Sequence, residues 1–339
     1  RRQRQMCIRD SPKRWRSSKV KKYLHEFLYI LLWLPTTWRP HHLAHPLFFS
    51  EIKSYIFTIR LIFNVKFEDE ILKAFQVIDF EKNPTIEHIQ TPDPQPDQIR
   101  LKIMSCGLNF ADILLKNGTY QETPPLPFVL GMEVSGVVDA LGSNVTNFSI
   151  GDRVAVFGGQ GGLAEYGCFD LSRCVKLPQK MSFDDAAAFQ IAYGTSHLAL
   201  GYKAQTKPGD TLLVLGASGG VGLTAVQLGK LMGARVIGVA RGAEKMEIIK
   251  KEGADFVLDS DDPDLISRLK DLGGIDIVYD AVGGDQFKSA FKSCNPEARI
   301  ILIGFASGNL QQLKANHLLV KNVTIHGLYR GGYLQFKPK

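Results

Sequence analysis

Residues Gly209 to Lys230 read GDTLLVLGASGGVGLTAVQLGK. Five apolar or β-prone residues, Thr211 to Leu215, precede a glycine cluster. Apolar residues then recur at helical spacing, at positions 221, 225, 228 and 231. A strand, a tight glycine turn and a helix in this order are typical of the first unit of a dinucleotide-binding βαβ fold. The free N–H groups at the start of the helix would bind a pyrophosphate.

Each glycine of the cluster has a predicted use. Gly216 permits the sharp turn off the strand, and Gly222 permits close packing of the helix on the strand. Gly219 and Gly220 let backbone N–H groups approach the phosphates. A glycine cluster can also be only a tight turn, but here the next strand, Arg235 to Ala240, lies where the fold requires it. We expect the phosphates to be bound by Gly216, Ala217, Ser218, Gly219, Gly220, Val221 and Gly222.

The same stretch resembles the quinone oxidoreductase (zeta-crystallin-like) branch of the zinc-free medium-chain dehydrogenase/reductase superfamily. The shared positions include a glutamine and a lysine beyond the glycines, and they are Gly209, Asp210, Leu213, Ala217, Ser218, Gly219, Gly220, Gly222, Gln227 and Lys230. The resemblance runs from about Ile71 to the C-terminus. It implies an α/β protein with a doubly wound parallel Rossmann sheet and a GroES-like β-barrel substrate domain.

The composition excludes some classes of function. The net charge is +7, but residues 1–50 hold 11 of the 41 Lys and Arg and only two of the 34 Asp and Glu. The rest of the chain is near neutral, which disfavours nucleic acid as a partner. The five cysteines form no C-x-x-C pair, so neither a disulfide framework nor a zinc knuckle is indicated. We expect an intracellular protein, cytoplasmic, or mitochondrial if residues 1–70 are genuine.

Residues 1–70 precede the resemblance and are predicted to be an unstructured or artefactual leader. The start, RRQRQMCIRDS, resembles translated sequencing-adapter read-through. The apolar patch from Phe27 to Leu34 after basic residues also resembles a signal peptide or mitochondrial presequence, and a functional extension is a third interpretation. The patch is shorter than the roughly 20 apolar residues of a membrane span, so we expect no membrane insertion.

Residues 71–190 are predicted to form the substrate domain, because short alternating segments with little helix favour a barrel-like β fold. The strands are predicted at Lys73–Phe80, Gln98–Cys106, Val134–Ala140, Arg153–Phe157 and Cys174–Leu177. A helix over Asp184–Leu200, interrupted near Gly194, should lead into the second domain.

Residues 191–330 are predicted to form the Rossmann domain, because strands and helices alternate along them. After the first unit, the strands are expected at Arg235–Ala240, Phe256–Asp259, Ile275–Asp280, Arg299–Ile303 and Asn322–Leu328, and the helices at Glu244–Glu252, Asp264–Asp271 and Gln286–Ser293. A turn at Gly331-Gly332 should follow, and residues 331–339 should begin a truncated return to the substrate domain. We therefore expect a fragment at both ends.

The segment CGLNFAD, residues 106–112, is a second candidate functional motif, after the glycine cluster. By resemblance, Asn109 and Met132 stand where zinc-dependent relatives carry a Cys and a His ligand. An amide and a thioether suit a tetrahedral Zn²⁺ site poorly, so we expect no metal. Hydrogen-bond donors must then polarise the substrate. The catalytic candidates are Asn109, Tyr120 and Asp112, although Tyr120 could equally be a packed aromatic and Asp112 a helix cap.

The end of the second strand predicts the choice of cofactor. An Asp or Glu there selects NAD, whereas this chain has Arg241 followed by Lys245, which would pair with the 2′-phosphate of NADPH. Both could also be solvated surface charges, and Ser260 replaces a tyrosine common in the family. The nicotinamide end is expected near Asn109, Thr195, Val282, Gly283, Phe305 and Ser307.

The sequence thus predicts a zinc-free, NADPH-dependent enzyme that transfers hydride to a quinone or an α,β-unsaturated carbonyl. One alternative is an enoyl-thioester reductase on the same fold. Another is a non-catalytic, crystallin-like NADPH-binding protein. We also expect a homodimer with a small-molecule substrate.

Overall fold

A computed structural model describes residues 71–310 and 313–336. The predictions for residues 1–70 lie outside these ranges. The strands and helices are numbered here along the described chain.

Antiparallel sheets dominate the first part of the described chain. The eight strands are β1 (Ile71–Val77), β2 (Thr85–Gln90), β3 (Gln98–Gly107), β4 (Phe128–Val129), β5 (Glu133–Leu141), β6 (Arg153–Phe157), β7 (Tyr166–Asp170) and β8 (Cys174–Lys176). One sheet has the order β7-β3-β5-β6-β8 and the other β2-β1-β4. Helix α1 (Phe110–Lys116) follows β3. Alternate apolar residues of β3 and β6, among them Ile99, Leu101 and Val154, pack in one buried cluster, as the period of two predicts.

The predicted strands of this part are found with small shifts. β1 ends at Val77 rather than Phe80, because Ile78 is already exposed and the chain turns there. The sequence did not predict β2, β7 or the two-residue strand β4. β2 lies at the edge of its sheet and buries no residue fully, so it lacks the apolar alternation that marks a strand.

A parallel sheet of six strands forms the second part. The strands are β9 (Thr211–Leu215), β10 (Arg235–Ala240), β11 (Phe256–Asp259), β12 (Ile275–Asp280), β13 (Cys294–Leu302) and β14 (Thr324–Gly327). Their order is β11-β10-β9-β12-β13-β14. The helices are α2 (Phe183–His197), α3 (Gly220–Leu231), α4 (Ala243–Lys251), α5 (Leu265–Asp271), α6 (Gly284–Lys292), α7 (Ala315–Lys321) and α8 (Arg330–Phe336).

Helices cover both faces of this sheet. Leu212 and Val214 belong to one buried cluster, whereas Leu213 and Leu215 belong to another. Because successive side chains of a strand point to opposite faces, β9 is buried on both sides, as a central parallel strand must be. The predicted doubly wound α/β fold is confirmed.

Two predicted interruptions are wrong. α2 runs through Gly194 without a break and continues as a π-helical turn, Leu198–Lys203. A helical glycine is disfavoured by only about 1 kcal/mol relative to alanine, and here the missing side chain makes room: a Cβ on Gly194 would lie 2.6 Å from Nε of Arg330. The predicted turn at Gly331-Gly332 is part of α8. Leu334 of α8 packs with the apolar cluster of β1, β4 and β6.

Two further findings concern boundaries and membranes. β13 begins at Cys294, five residues before the predicted start at Arg299. Within residues 71–310 and 313–336, no helix has the length and apolar character that a bilayer crossing requires.

Candidate functional site

The turn between β9 and α3 requires glycine at two positions. Gly216 has φ of +68°, and a Cβ there would lie 2.8 Å from Cγ2 of Val282. A Cβ on Gly222 would overlap the carbonyl oxygen of Gly216 and lie 2.8 Å from Cα of Ala217. The start of α3 is therefore held tightly against the end of β9.

The N-terminus of α3 faces open space. A Cβ on Gly220 would meet no atom within 4 Å, and one on Gly219 would meet only the Gly216 carbonyl, at 3.4 Å. The helical ladder begins with the bond from the Leu223 amide to the Gly219 carbonyl, at 2.8 Å. The first turn of a helix leaves its N–H groups without intrahelical acceptors. An uncovered glycine surface with free donors and a positive dipole end fits the pyrophosphate of a dinucleotide.

The loops that follow β12 and β13 meet at the carboxyl edge of the parallel sheet. The Ser307 amide donates to the Val282 carbonyl at 3.0 Å. A Cβ on Gly283, whose φ is +73°, would lie 3.3 Å from the Phe305 ring. The structure thus brings together four residues that the sequence predicts near the nicotinamide.

Asp280 ends β12 and holds the first of these loops. Its Oδ1 accepts hydrogen bonds from the amides of Val282 and Gly283, both at 2.8 Å. Its Oδ2 is buried and has no hydrogen-bond partner in the described structure. Burial raises the pKa of the Asp280 carboxyl above its ordinary range, because the charged form loses its hydration.

A cleft of about 430 Å³ continues from these loops to the ends of β10 and β11. Of the predicted cofactor residues, it is lined by Arg241, Val282, Gly283 and Ser307. Ser260 and Asp261 line it as well. Lys245, in contrast, is exposed on α4 and does not line this cleft.

The predicted catalytic residues lie in the antiparallel part, where Asn109 is held by a buried carboxylate. Nδ2 of Asn109 donates to Oε1 of Glu133 at 2.9 Å. Oε2 of Glu133 accepts from the amide of Ile191, in α2, at 2.8 Å. Glu133 is 2 % exposed, and burial raises its pKa although Asn109, Ile191 and Arg330 each favour its charged form. With Nδ2 directed at Glu133, Oδ1 is the acceptor atom of the Asn109 side chain, and it takes part in a capping box with the Asp112 amide at the start of α1.

Asp112 and Tyr120 have structural contacts. Oδ2 of Asp112 accepts from the amide of Asn109 at 2.8 Å, at the start of α1, and Oδ1 accepts from the amide of Gly131 at 3.2 Å. Tyr120 packs at the rim of an apolar cluster and meets the Tyr329 ring edge-on, with centroids 6.3 Å apart. Burial raises the pKa of Tyr120, so its hydroxyl stays protonated at neutral pH.

Met132 lies in the same apolar cluster and is 3 % exposed. In the part of the chain that the structure describes, no three His, Cys, Asp or Glu side chains come together as a metal-binding group. The expectation of zinc-free chemistry stays a prediction.

α2 joins the two sets of candidate residues. Its Ile191 amide bonds to Glu133, and five residues later Ser196 Oγ donates to the carbonyl of Val221, in the first turn of α3, at 2.9 Å. Ser196 also meets Thr224 and Tyr279 at 2.8 and 2.9 Å. Five helical residues rise about 7.5 Å. The buried Thr195 belongs to this same stretch of α2, between Ile191, which bonds to Glu133, and Ser196, which bonds to α3.

Sequence reasoning missed Glu133 and Arg330. A carboxylate within the apolar run GMEVSGVV was a usable signal, because a buried strand seldom carries one without a partner. Arg330 gave no such signal. Its guanidinium stacks on Phe157, 4.7 Å from the ring centroid, and its Nη1 is buried without a partner in the described structure.

Two residues that define the sequence motif have structural uses. Gln227 links the hydroxyl of Tyr193, in α2, to Glu252, which accepts from Nε2 at 2.6 Å. Lys230 pairs with Asp255, before β11, at 2.7 Å. Both therefore fasten α3 to its neighbours.

Comparison with known proteins identifies the family. Residues 95–179 match the alcohol dehydrogenase GroES-like domain, and residues 220–338 match the family described as zinc-binding dehydrogenase. Quinone oxidoreductase-like protein 2 homolog of Nematostella vectensis is 44 % identical over 247 residues, which are 71 % of this chain and 67 % of that protein.

Solved structures agree. Quinone oxidoreductase of Pseudomonas syringae is 32 % identical with a TM-score of 0.71, covering 78 % of this chain and 83 % of that one. Quinone oxidoreductase of Thermus thermophilus, solved also with NADPH, is 29 % identical with a TM-score of 0.68, covering 78 % and 82 %. The predicted GroES-like and Rossmann folds and the predicted resemblance are confirmed. The chain is an oxidoreductase that belongs to the quinone oxidoreductase family of the medium-chain dehydrogenases/reductases.

Proposed function

We propose that this protein uses NADPH to reduce a quinone or an α,β-unsaturated carbonyl compound by hydride transfer. The observation that carries the proposal is the course of α2. One helix bonds to the buried Glu133 that holds Asn109 and, five residues later, to the first turn of α3. A dinucleotide whose phosphates lie at α3 can therefore extend its nicotinamide toward Thr195 and Asn109.

We assign the following residues of the chain to the successive parts of NADPH. The free donors of the glycine turn would bind the pyrophosphate. Arg241 would bind the 2′-phosphate as a charge-assisted hydrogen bond. The loops at Val282–Gly283 and Phe305–Ser307 would wall the nicotinamide end. We propose residues 71–190 as the substrate domain, 191–330 as the cofactor domain, and 331–339 as a return to the former.

When bound, NADPH supplies the hydride. For a quinone the balanced reaction is NADPH + H⁺ + quinone → NADP⁺ + hydroquinone. Asn109, fixed by Glu133, would orient a hydroxyl through Oδ1. Tyr120 keeps its proton at neutral pH because burial raises its pKa, so its hydroxyl would donate a hydrogen bond to a substrate oxygen. We further propose a cytoplasmic homodimer that acts without zinc.

The test is NADPH oxidation by the full chain with a panel of quinones, enones and enoyl-CoA thioesters. Oxidation with quinones or simple enones supports the proposal. Turnover confined to enoyl thioesters would instead assign the alternative reductase. Tight NADPH binding without turnover of any substrate would identify a non-catalytic binding protein. An Asn109→Ala variant should reduce turnover more than it weakens NADPH binding.

A further inference from the structure

An ion pair lies at the adenosine end of the cleft, where we place the 2′-phosphate. Nε of Arg241 lies 3.0 Å from Oδ2 and 3.3 Å from Oδ1 of Asp261. The two side chains are 73 % and 60 % exposed, and both line the cleft. The cation expected to select NADPH therefore already has an anionic partner.

Asp261 is held in this position by its own loop. Its amide donates to Oδ1 of Asp259 at 3.0 Å, and the Ser260 hydroxyl donates to Asp261 Oδ1 at 3.3 Å. The loop is attached to the end of β10 through the Ser260 amide, which bonds to the Ala240 carbonyl at 3.0 Å. The carboxylate of Asp261 is thus directed at Arg241 by contacts that do not involve Arg241.

The contacts of the carboxylates near Arg241 show which of them would compete with a bound phosphate. Asp262 lines the same cleft, but Arg268 pairs with it at 3.0 Å. Asp259 accepts from the amides of Gly242 and Asp261. Asp261 is therefore the carboxylate in direct competition with a bound phosphate for Arg241. A dianionic phosphate at this guanidinium would be repelled by Asp261, whereas the 2′-hydroxyl of NADH could donate to it.

We propose that Asp261 reduces the preference of this protein for NADPH over NADH. Its carboxylate competes with the 2′-phosphate for Arg241, so the affinity for NADPH exceeds the affinity for NADH by a smaller factor. The inference rests on the proposed function, because it assumes that the cleft binds the adenosine end of a nicotinamide dinucleotide.

The test measures binding, by calorimetry with the full chain, of 2′,5′-ADP, which carries the 2′-phosphate, and of 5′-AMP, which lacks it. Asp261→Asn should bind 2′,5′-ADP about three- to tenfold more tightly than the wild type, because an exposed like charge has been removed. Its affinity for 5′-AMP should not rise. Added salt should shrink the difference between variant and wild type, since screening weakens the repulsion.

Asp285→Asn is the matched control. Asp285 lines the same cleft, and its substitution removes the same charge, but Asp285 pairs with Lys288. The ratio of the affinity for 2′,5′-ADP to the affinity for 5′-AMP should therefore stay at the wild-type value. An unchanged ratio in Asp261→Asn, or equal gains in both variants, would overturn the inference and leave the proposed function standing. If the wild type binds neither nucleotide, the proposed cofactor and the inference both fail.

Discussion

Glu133 and Asn109 form a partly buried hydrogen bond, 2.9 Å from Oε1 to Nδ2, between the first residue of β5 and the residue that precedes α1. The second oxygen of Glu133 accepts from Ile191, in α2. One carboxylate therefore bonds both to the candidate catalytic amide and to α2, the helix that contacts α3 just after the glycine turn.

Replacing Glu133 should destabilise the fold in a graded way. Glu133→Ala removes the acceptor shared by the part-buried donors of Asn109 and Ile191 and should lower the free energy of unfolding by about 3 kcal/mol. Glu133→Gln keeps one acceptor and should lower it by about 1–2 kcal/mol. Denaturant titration measures both, and Glu81→Ala, on the surface, is the control. A Gln variant as stable as the wild type would show that the carboxylate does not accept from both donors.

Asp280 predicts a dependence of stability on pH. Because burial raises its pKa in the native state, the native protein binds its proton more tightly than the unfolded chain. Its contribution to stability is complete below the ordinary Asp pKa of about 4 and is lost as the pH rises through the raised value. Denaturant titrations at a series of pH values from acid to neutral should show that the free energy of unfolding of Asp280→Asn increases relative to that of the wild type as the pH rises.

Asp285→Asn is the control for that series. Lys288 lowers the pKa of Asp285, so the wild type should gain on this variant as the pH rises through the lowered value. A difference of the same sign in both variants would show that the pH effect does not come from the burial of Asp280.

Substitutions at two glycines of the turn should affect different properties, one the stability of the fold and the other the affinity for NADPH. Gly222→Ala overlaps the Gly216 carbonyl and should destabilise the protein by about 1–3 kcal/mol. Gly220→Ala meets open space, so stability should be kept, while NADPH binding should weaken by about tenfold or 1.4 kcal/mol. Thermal unfolding and calorimetry test the pair. Unchanged NADPH affinity in Gly220→Ala would place the phosphates elsewhere.

Arg241→Ala should weaken NADPH binding by about 1.5–3 kcal/mol, the range for a hydrogen bond to a charged group. The affinity for NADH should change little. Lys270→Ala, which removes an exposed cation from α5, is the control for net charge. Equal losses for the two cofactors would show that Arg241 does not contact the 2′-phosphate.

Metal should play no part in turnover. Met132, at the position of a zinc-ligand histidine in the resemblance, is enclosed in an apolar cluster, and a thioether is a soft ligand. Elemental analysis of the purified protein should find no stoichiometric zinc, and chelators should leave the activity intact. Bound zinc together with chelator-sensitive activity would contradict the interpretation of Asn109 and Met132.

The sequence by itself determined the parallel sheet and the glycine turn. Strands such as Arg235–Ala240 and Ile275–Asp280 have the bounds predicted from it, because a buried strand and the turn after it depend on adjacent residues. The elements that were predicted wrongly depend on residues distant in the sequence. Gly194 lies within a continuous helix, and Arg330 occupies the space that a side chain there would take.

Tertiary structure alone decided the polar contacts of the site. Glu133 lies 24 residues from Asn109 and 58 from Ile191, and Asp261 lies 20 residues from Arg241. No local pattern relates such positions, because each pair meets only where separate strands, loops and helices are packed together. The sequence therefore predicts which chemical groups are present, and packing decides which of them share a hydrogen bond or a charge.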